Sequence, residues 1–372
     1  MRKFLALSSL AAMALAACSA GGGDTIKLGF IGPLTGDAAS YGADTLHGMQ
    51  IAVDEINAAG GIGGKQIEII AEDGKCTGAD AATAAQKLMN IDKVVAIIGG
   101  QCSGETLAAA PIAEMAKVVM ISPVSTSPDV TEAGEFIFRN SPSDALKTKA
   151  MAKVFAEKNY AKIAIISENT DYATALRDSL VAAVGTDAMV FNETSEPGTK
   201  DFRSLMTRLE DAEFDVFVPN GQSDAFIAAA MQQYREAGFT APAFSQDVAD
   251  SANLGQIAGE AVEGMELINT SSKLGDTGPD SFAVHFRAKH GEPQSNLSFA
   301  TLSYDATNLL AKVIGEVGTD GTAVRDAVAK ITYEGAAGTF SFDANGDVVG
   351  IGYVLKKFEG GKIVELNTVT PD

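Results

Sequence analysis

Short apolar runs alternate with longer stretches of mixed polarity along most of the chain, and the run at residues 94–98 sets the pattern. Val94-Val95-Ala96-Ile97-Ile98 is β-branched and apolar without alternation, as expected of a strand buried on both faces of a parallel sheet. It stops at Gly99-Gly100. Gln101-Cys102-Ser103-Gly104 follows, then an alanine-rich helical stretch over 105–116, a second apolar run over 118–121, and the loop Ser122-Pro123-Val124-Ser125-Thr126. Strand, small-residue loop, helix, strand, loop brings both loops to the carboxyl edge of one parallel sheet, where open α/β folds bind ligands. Ser103, Ser125 and Thr126 are expected to face one crevice.

The same alternation surrounds this unit. A first strand over 26–31 is stopped by Gly32-Pro33, and the loop 34–42 with Tyr41 leads into a helix over 43–58. Gly60-Gly61-Ile62-Gly63-Gly64 precedes the strand at 66–71 instead of following one, so it reads as a helix stop and turn, not a phosphate loop. A helix over 79–90 returns to the central strand, completing half of a doubly wound fold. Pro111 kinks the next helix or marks its restart. After Phe136-Ile137-Phe138-Arg139 the pattern begins again: helix 144–158, strand 162–167, helix 173–184, then βα units at 189–192, 215–218 and 243–246, and a strand at 264–268. Helices over 280–289, 299–317 and 323–330 follow, then a predicted hairpin of 338–342 with 348–356. Two lobes of one α/β architecture are the economical inference, and 372 residues exceed what one ordinary core organises.

Hydrophobic content of 46% with 20% charged residues is that of a soluble globular chain, and 48 acidic against 28 basic residues, net −20, argue against nucleic acid or an anionic membrane surface as partner. Residues 1–17 read as a leader: Arg2-Lys3, an apolar stretch over 4–14, then Leu15-Ala16-Ala17-Cys18, which has the form of a lipobox with Cys18 as the lipid-bearing first residue. An ordinary signal-peptidase site near Ala17 or Ala20 is the alternative. Either places the mature chain outside the cytoplasm, and with lipidation at Cys18 it is tethered to a bacterial membrane.

That leaves Cys76 and Cys102, each after a predicted strand, in an oxidising compartment, where a bridge between them would contribute about 3 kcal/mol. The sharper alternative is a G-x-C-x-G nucleophile elbow at Gly100-Gln101-Cys102-Ser103-Gly104, but that chemistry needs a histidine base, and His47, His285 and His290 offer no compelling hydrolase order. Asp343-Ala344-Asn345-Gly346-Asp347 resembles the start of a calcium loop, yet Val354 stands where the twelfth-position Glu belongs, so an Asn-Gly hairpin turn is the expectation. Asp247, after Phe244-Ser245-Gln246, is either a cap or turn aspartate or a carboxylate aimed at a cation between the lobes.

Taken together these residues resemble the periplasmic amino-acid-binding proteins of ABC transporters typified by leucine/isoleucine/valine-binding proteins. The resemblance spans the mature chain and is carried by residues 31–36, Tyr41-Gly42, 56–62, Cys102-Ser103, Met120-Ile121-Ser122-Pro123, Thr126, Phe138-Arg139, 257–260 and Tyr304. It implies a type I periplasmic binding fold, two Rossmann-like lobes joined by three crossovers: 24–141 plus 271–349 as one lobe and 142–270 plus 350–372 as the other, hinged near Ser141, Thr270 and Gly350. It also implies the Cys76–Cys102 disulfide.

In the sites so implied, Ser103 gives its hydroxyl and backbone N–H to a ligand α-carboxylate, consistent with the anion preference of a helix N-terminus. Val124 offers a carbonyl to the ammonium, Thr126 contacts both groups, and Asp247 neutralises the ammonium from the other lobe. Ser125, Tyr41, Tyr172 and Phe299 border the cleft; Tyr304 is a border or a core residue. Two departures stand out: Asp247 replaces a Glu, and a second-lobe tyrosine is replaced near Ser223, between Gln222 and Asp224, which makes the side-chain pocket roomier or more polar. The implied protein is a monomeric, non-enzymatic binding protein, without cofactor or metal, that delivers an amino acid to an ABC permease. A ligand-sensing module and a binder of an amine-free carboxylate or an amide are the alternatives.

Overall fold

The computed structural model describes residues 25–270 and 281–371. The leader, Cys18 and the start of the helix expected at 280 lie outside these residues.

The first half is a parallel sheet of β1 (Ile26–Gly32), β2 (Ile67–Asp73), β3 (Ala96–Gly99), β4 (Val119–Ser122) and β5 (Ile137–Arg139), in the order β2-β1-β3-β4-β5. It is wound with α1 (Ala39–Ala58), α2 (Gly78–Gln86) and α3 (Ser103–Ala116). β3 is buried along its whole length, as its unbroken apolar run requires. The helix α3 continues through Pro111, which lies exposed, so neither strand pairing nor core depends on it.

The second half comprises α4 (Asp144–Lys158), β6 (Ile163–Glu168), α5 (Asp171–Val184), β7 (Met189–Ser195), α6 (Arg203–Leu209), β8 (Val216–Asn220), α7 (Asp224–Glu236), β9 (Phe244–Ser245), α8 (Ala252–Ala258) and β10 (Glu266–Thr270). The chain then returns to the first half with α9 (Phe282–His290), α10 (Leu297–Val317) and α11 (Gly321–Val328). A small antiparallel sheet of β11 (Thr332–Gly335), β12 (Gly338–Phe342) and β13 (Val348–Val349) follows, and β14 (Tyr353–Glu359) and β15 (Lys362–Val369) close the fold. Strands β7-β6-β8 are parallel, a parallel bridge between Phe217 and Ala243 carries them on to β9, and β9-β10-β14-β15 complete the row.

The single hairpin expected over 338–356 is in fact two structures. Val348–Val349 pairs with β12, whereas Tyr353–Glu359 pairs antiparallel with β10 in the other half. The break falls at Gly350, whose φ of +105° lets the chain leave one sheet for the other. The expected Asn-Gly turn sits between β12 and β13, and its Asp347 is engaged by a buried Arg139 at 2.6 and 2.8 Å.

Helix α1 begins at Ala39, four residues before the expected start, so Tyr41 belongs to its first turn and not to a loop. Two glycines permit this placement. A Cβ on Gly42 would stand 1.8 Å from the Pro33 carbonyl oxygen, and one on Gly48 would stand 2.1 Å from that of Ala300. α1 thereby packs tightly on α10, and Tyr41 and Phe299, one on each helix, approach with ring centroids 6.1 Å apart.

Candidate ligand cleft

The loop after β3 is fixed from two sides. Cys76 and Cys102 form a disulfide with Cα atoms 5.2 Å apart. Beneath it the Glu105 carboxylate accepts the backbone N–H of Cys76 and that of Cys102, both at 2.9 Å. Burial pushes this carboxyl up to about 7 against the opposing effect of those hydrogen bonds. The Cys102 thiol of the alternative nucleophile elbow is thus consumed in a covalent link. Ser103 is the first residue of α3, whose first-turn N–H groups have no partner within the helix. Its Oγ accepts the N–H of Ser127 at 3.2 Å, which leaves the hydroxyl proton to donate elsewhere.

The loop after β4 is tied to the same edge. Ser122 donates to the Gly100 carbonyl at 2.8 Å, and Ser125 donates to it at 2.5 Å while its Oγ lies 2.6 Å from that of Thr106. Ser125 therefore clamps two loops together and is not part of the cavity wall. Thr126 donates its hydroxyl to Asp144 Oδ2 at 2.9 Å, so its oxygen is left as an acceptor. Arg139 donates to the Ser127 carbonyl at 2.7 Å and anchors the far end of the loop.

The facing wall comes from the second half. Gln246 donates to the Gly221 carbonyl and accepts the N–H of Val248, fixing the turn that carries Asp247. Asp247 is buried, and its Oδ1 accepts Tyr172 Oη at 2.8 Å and Lys147 Nζ at 2.6 Å. Lys147, itself fully buried on α4, also lies 2.6 Å from Asp144 Oδ1. Burial opposes the Lys147 charge, but the two carboxylates outweigh it and hold the ammonium above the ordinary lysine range. Burial pushes the Asp144 carboxyl up, while Lys147 draws it back down.

Between these walls lies a cavity of about 40 Å³. Ser103, Val124, Tyr172, Asp247, Tyr41 and Phe299 line it, as expected from the sequence, joined by Ala38, Gln101, Cys102, Gln222 and Val248. Thr126 stands behind the wall, bonded to Asp144. Ser223 caps α7 by accepting the Phe226 N–H, and its neighbour Gln222 takes the place in the lining. Tyr304 packs on Phe282 and donates to Glu55, a core position away from the cleft. Lys147 and Asp144 were not singled out in the sequence. Their one signal is the i, i+3 spacing of opposite charges at a helix start, which reads equally as a solvated face.

The hydrogen bonds give the cavity a direction. At the α3 end Ser103 keeps a hydroxyl proton at the helix N-terminus, beside a Gln101 side chain whose Oε1 has no partner among the described residues. At the other end Tyr172 has spent its proton on the Asp247 carboxylate, and Asp247 Oδ2 is engaged by no donor among the described residues. One end therefore suits an anion and the other a cation.

This pair of α/β halves with a cleft at the strand ends has the type I periplasmic binding-protein fold. The chain belongs to the periplasmic binding protein family, whose model matches residues 25–362. Among curated relatives, the leucine-, isoleucine-, valine-, threonine- and alanine-binding protein of Pseudomonas aeruginosa is 31% identical over 352 residues, 92% of this chain and 91% of that protein. Among solved structures, the substrate-binding protein of a branched-chain amino acid transporter from Streptococcus pneumoniae, in complex with isoleucine, aligns with a TM-score of 0.81 at 31% identity, covering 92% of this chain and all of that one. A solute-binding protein from R. palustris in complex with benzoate shares the fold, with a TM-score of 0.82 at 20% identity over 93% of this chain and 97% of that one. The chain is a binding protein and not an enzyme.

Proposed function

We propose that the protein captures a zwitterionic α-amino acid between its halves and delivers it to an ABC permease. The ligand carboxylate lies against Ser103 and the first turn of α3. Its ammonium lies against the Val124 carbonyl and Asp247, with Thr126 behind them, and its side chain points toward Tyr41, Val248 and Phe299. The observation that carries this reading is the opposed polarity of the two ends of the cavity, set by which groups have already spent their protons. The branched-chain amino acid named for the relatives supports the ligand class.

The lobes of this reading are 24–141 plus 271–349 and 142–270 plus 350–372, closing about the segments near Ser141, Thr270 and Gly350. The mature protein is extracytoplasmic, held to the membrane through a lipid on Cys18. Mass spectrometry of the ligand released from purified protein, followed by calorimetry with aliphatic amino acids, tests the ligand class. A second reading, an amine-free carboxylate as ligand, is favoured by Lys147, which already occupies one oxygen of Asp247. An amine-free carboxylate that binds where amino acids do not would establish it.

A further inference from the structure

The cluster behind the cleft holds two carboxylates, Asp144 and Asp247, and one ammonium, Lys147, all buried and in contact at 2.6 Å. With both carboxyls ionised, which their contacts with the ammonium and with the Thr126 and Tyr172 hydroxyls favour, two negative charges against one positive charge leave a single negative charge, and a buried charge is costly unless it is matched. The only member of the cluster that lines the cavity is Asp247, with Oδ1 committed to Lys147 and Tyr172. The uncompensated charge is therefore presented to the ligand through Oδ2.

We propose that Lys147 is a specificity-determining residue: by neutralising one of the two carboxylates from within, it sets the number of positive charges the cleft accepts from its ligand at one. This rests on the proposed amino-acid site and adds a rule to it. A ligand with no ammonium leaves the cluster negative and unmatched, and a ligand with two positive charges brings one that has no counter-ion. Lys147 is a positioning residue in this scheme, since it touches Asp247 and not the ligand. The rule depends on charge and not on the shape of the lysine, because Thr126 and Tyr172 fix the two carboxylates independently of it.

The test is a calorimetric comparison of valine, isovalerate and diaminobutyrate on the full mature chain and on three variants. The wild type is expected to bind valine and to bind the other two at least roughly thirtyfold more weakly. Lys147→Met, with two unmatched carboxylates, is expected to shift its preference toward diaminobutyrate by roughly tenfold or more. Asp144→Asn, which leaves the cluster neutral, is expected to lose valine affinity by a similar factor and to gain on isovalerate. The double variant Asp144→Asn/Lys147→Met again carries one negative charge, and is expected to recover the preference for valine. Should Lys147→Met not fold, the loss in Asp144→Asn and its recovery in the double variant carry the comparison. An unchanged ranking in all folded variants, with valine still bound by the wild type, overturns the role of Lys147 alone. A wild type that binds isovalerate and not valine overturns the amino-acid reading as well.

Discussion

The phenolic hydroxyl of Tyr41 donates to the Asp224 carboxylate across the cleft, joining the first turn of α1 in one half to the first turn of α7 in the other. It also reaches the Val248 carbonyl at 3.1 Å. Asp224 is held in turn by Ser251 at 2.9 Å and Asn253 at 2.8 Å on its second oxygen. Burial, reinforced by the Asp224 charge, pushes the Tyr41 phenol well above the ordinary tyrosine range, so it stays a donor at any working pH.

Tyr41→Phe removes this tie while leaving the ring against Phe299. The closed arrangement should lose about 1 to 3 kcal/mol, the cost of an unmade hydrogen bond to a charged group. Calorimetry is expected to show weaker ligand binding by the corresponding factor, and small-angle scattering a less compact protein at equal ligand concentration. Unchanged affinity would remove Tyr41 from the closure.

Ser103→Ala deletes a hydroxyl donor at the anion end but keeps the start of the helix. Affinity should fall by about 1 to 3 kcal/mol, with amide analogues of the ligand affected less than the carboxylate itself. The same titration on both ligand forms reads the difference.

Asp247→Ala removes the only carboxylate among the described residues that lines the cavity and leaves Lys147 with Asp144 alone. Binding of an amino acid should weaken by at least about 2 kcal/mol, because the ligand ammonium loses its buried counter-ion. Equal affinity for the amino acid in the variant would remove Asp247 from the site.

The buried Glu105 beneath the disulfide makes stability depend on pH. Its carboxyl is raised from an ordinary 4.5 to about 7 in the folded chain. Between these values the folded state holds more protons than the unfolded one. Its stability is therefore greatest below the lower value and falls as pH rises through the upper, by about 3 kcal/mol in all. Asp305, raised by burial to about 6, acts in the same direction. Melting temperatures of Glu105→Gln measured from pH 5 to 7 should fall less steeply than those of the wild type, retaining the part due to Asp305.

The parallel sheet of the first half and its two ligand loops were legible because buried strands such as Ile97-Ile98 carry unbroken apolar runs, and the loops after them are small and polar. The polar strands were not. β15 is largely exposed, and Lys362–Val369 lacks the alternation that marks a half-buried strand. The crossover near Gly350 was implied by the family resemblance and not by the residues themselves, since a run of apolar positions does not say which of two sheets each part joins. At the site, Ser103 follows a strand end and could be placed by topology, whereas Tyr172 and Asp247, which also follow strand ends, were assigned to the cleft by the family resemblance. Lys147 could not, because Lys147-Thr148-Lys149 reads as a solvated helix face until the fold brings Asp247, a hundred residues away, onto its ammonium.

The central claim is that one ligand molecule satisfies both ends of the cavity at once. Titrating valine, isovalerate and valinamide into the same preparation tests it most directly, since the three differ only in which end they can satisfy. Valine is expected to bind, and each analogue to lose at least about 2 kcal/mol for the end it leaves unmatched. Isovalerate or valinamide binding as tightly as valine would contradict the claim.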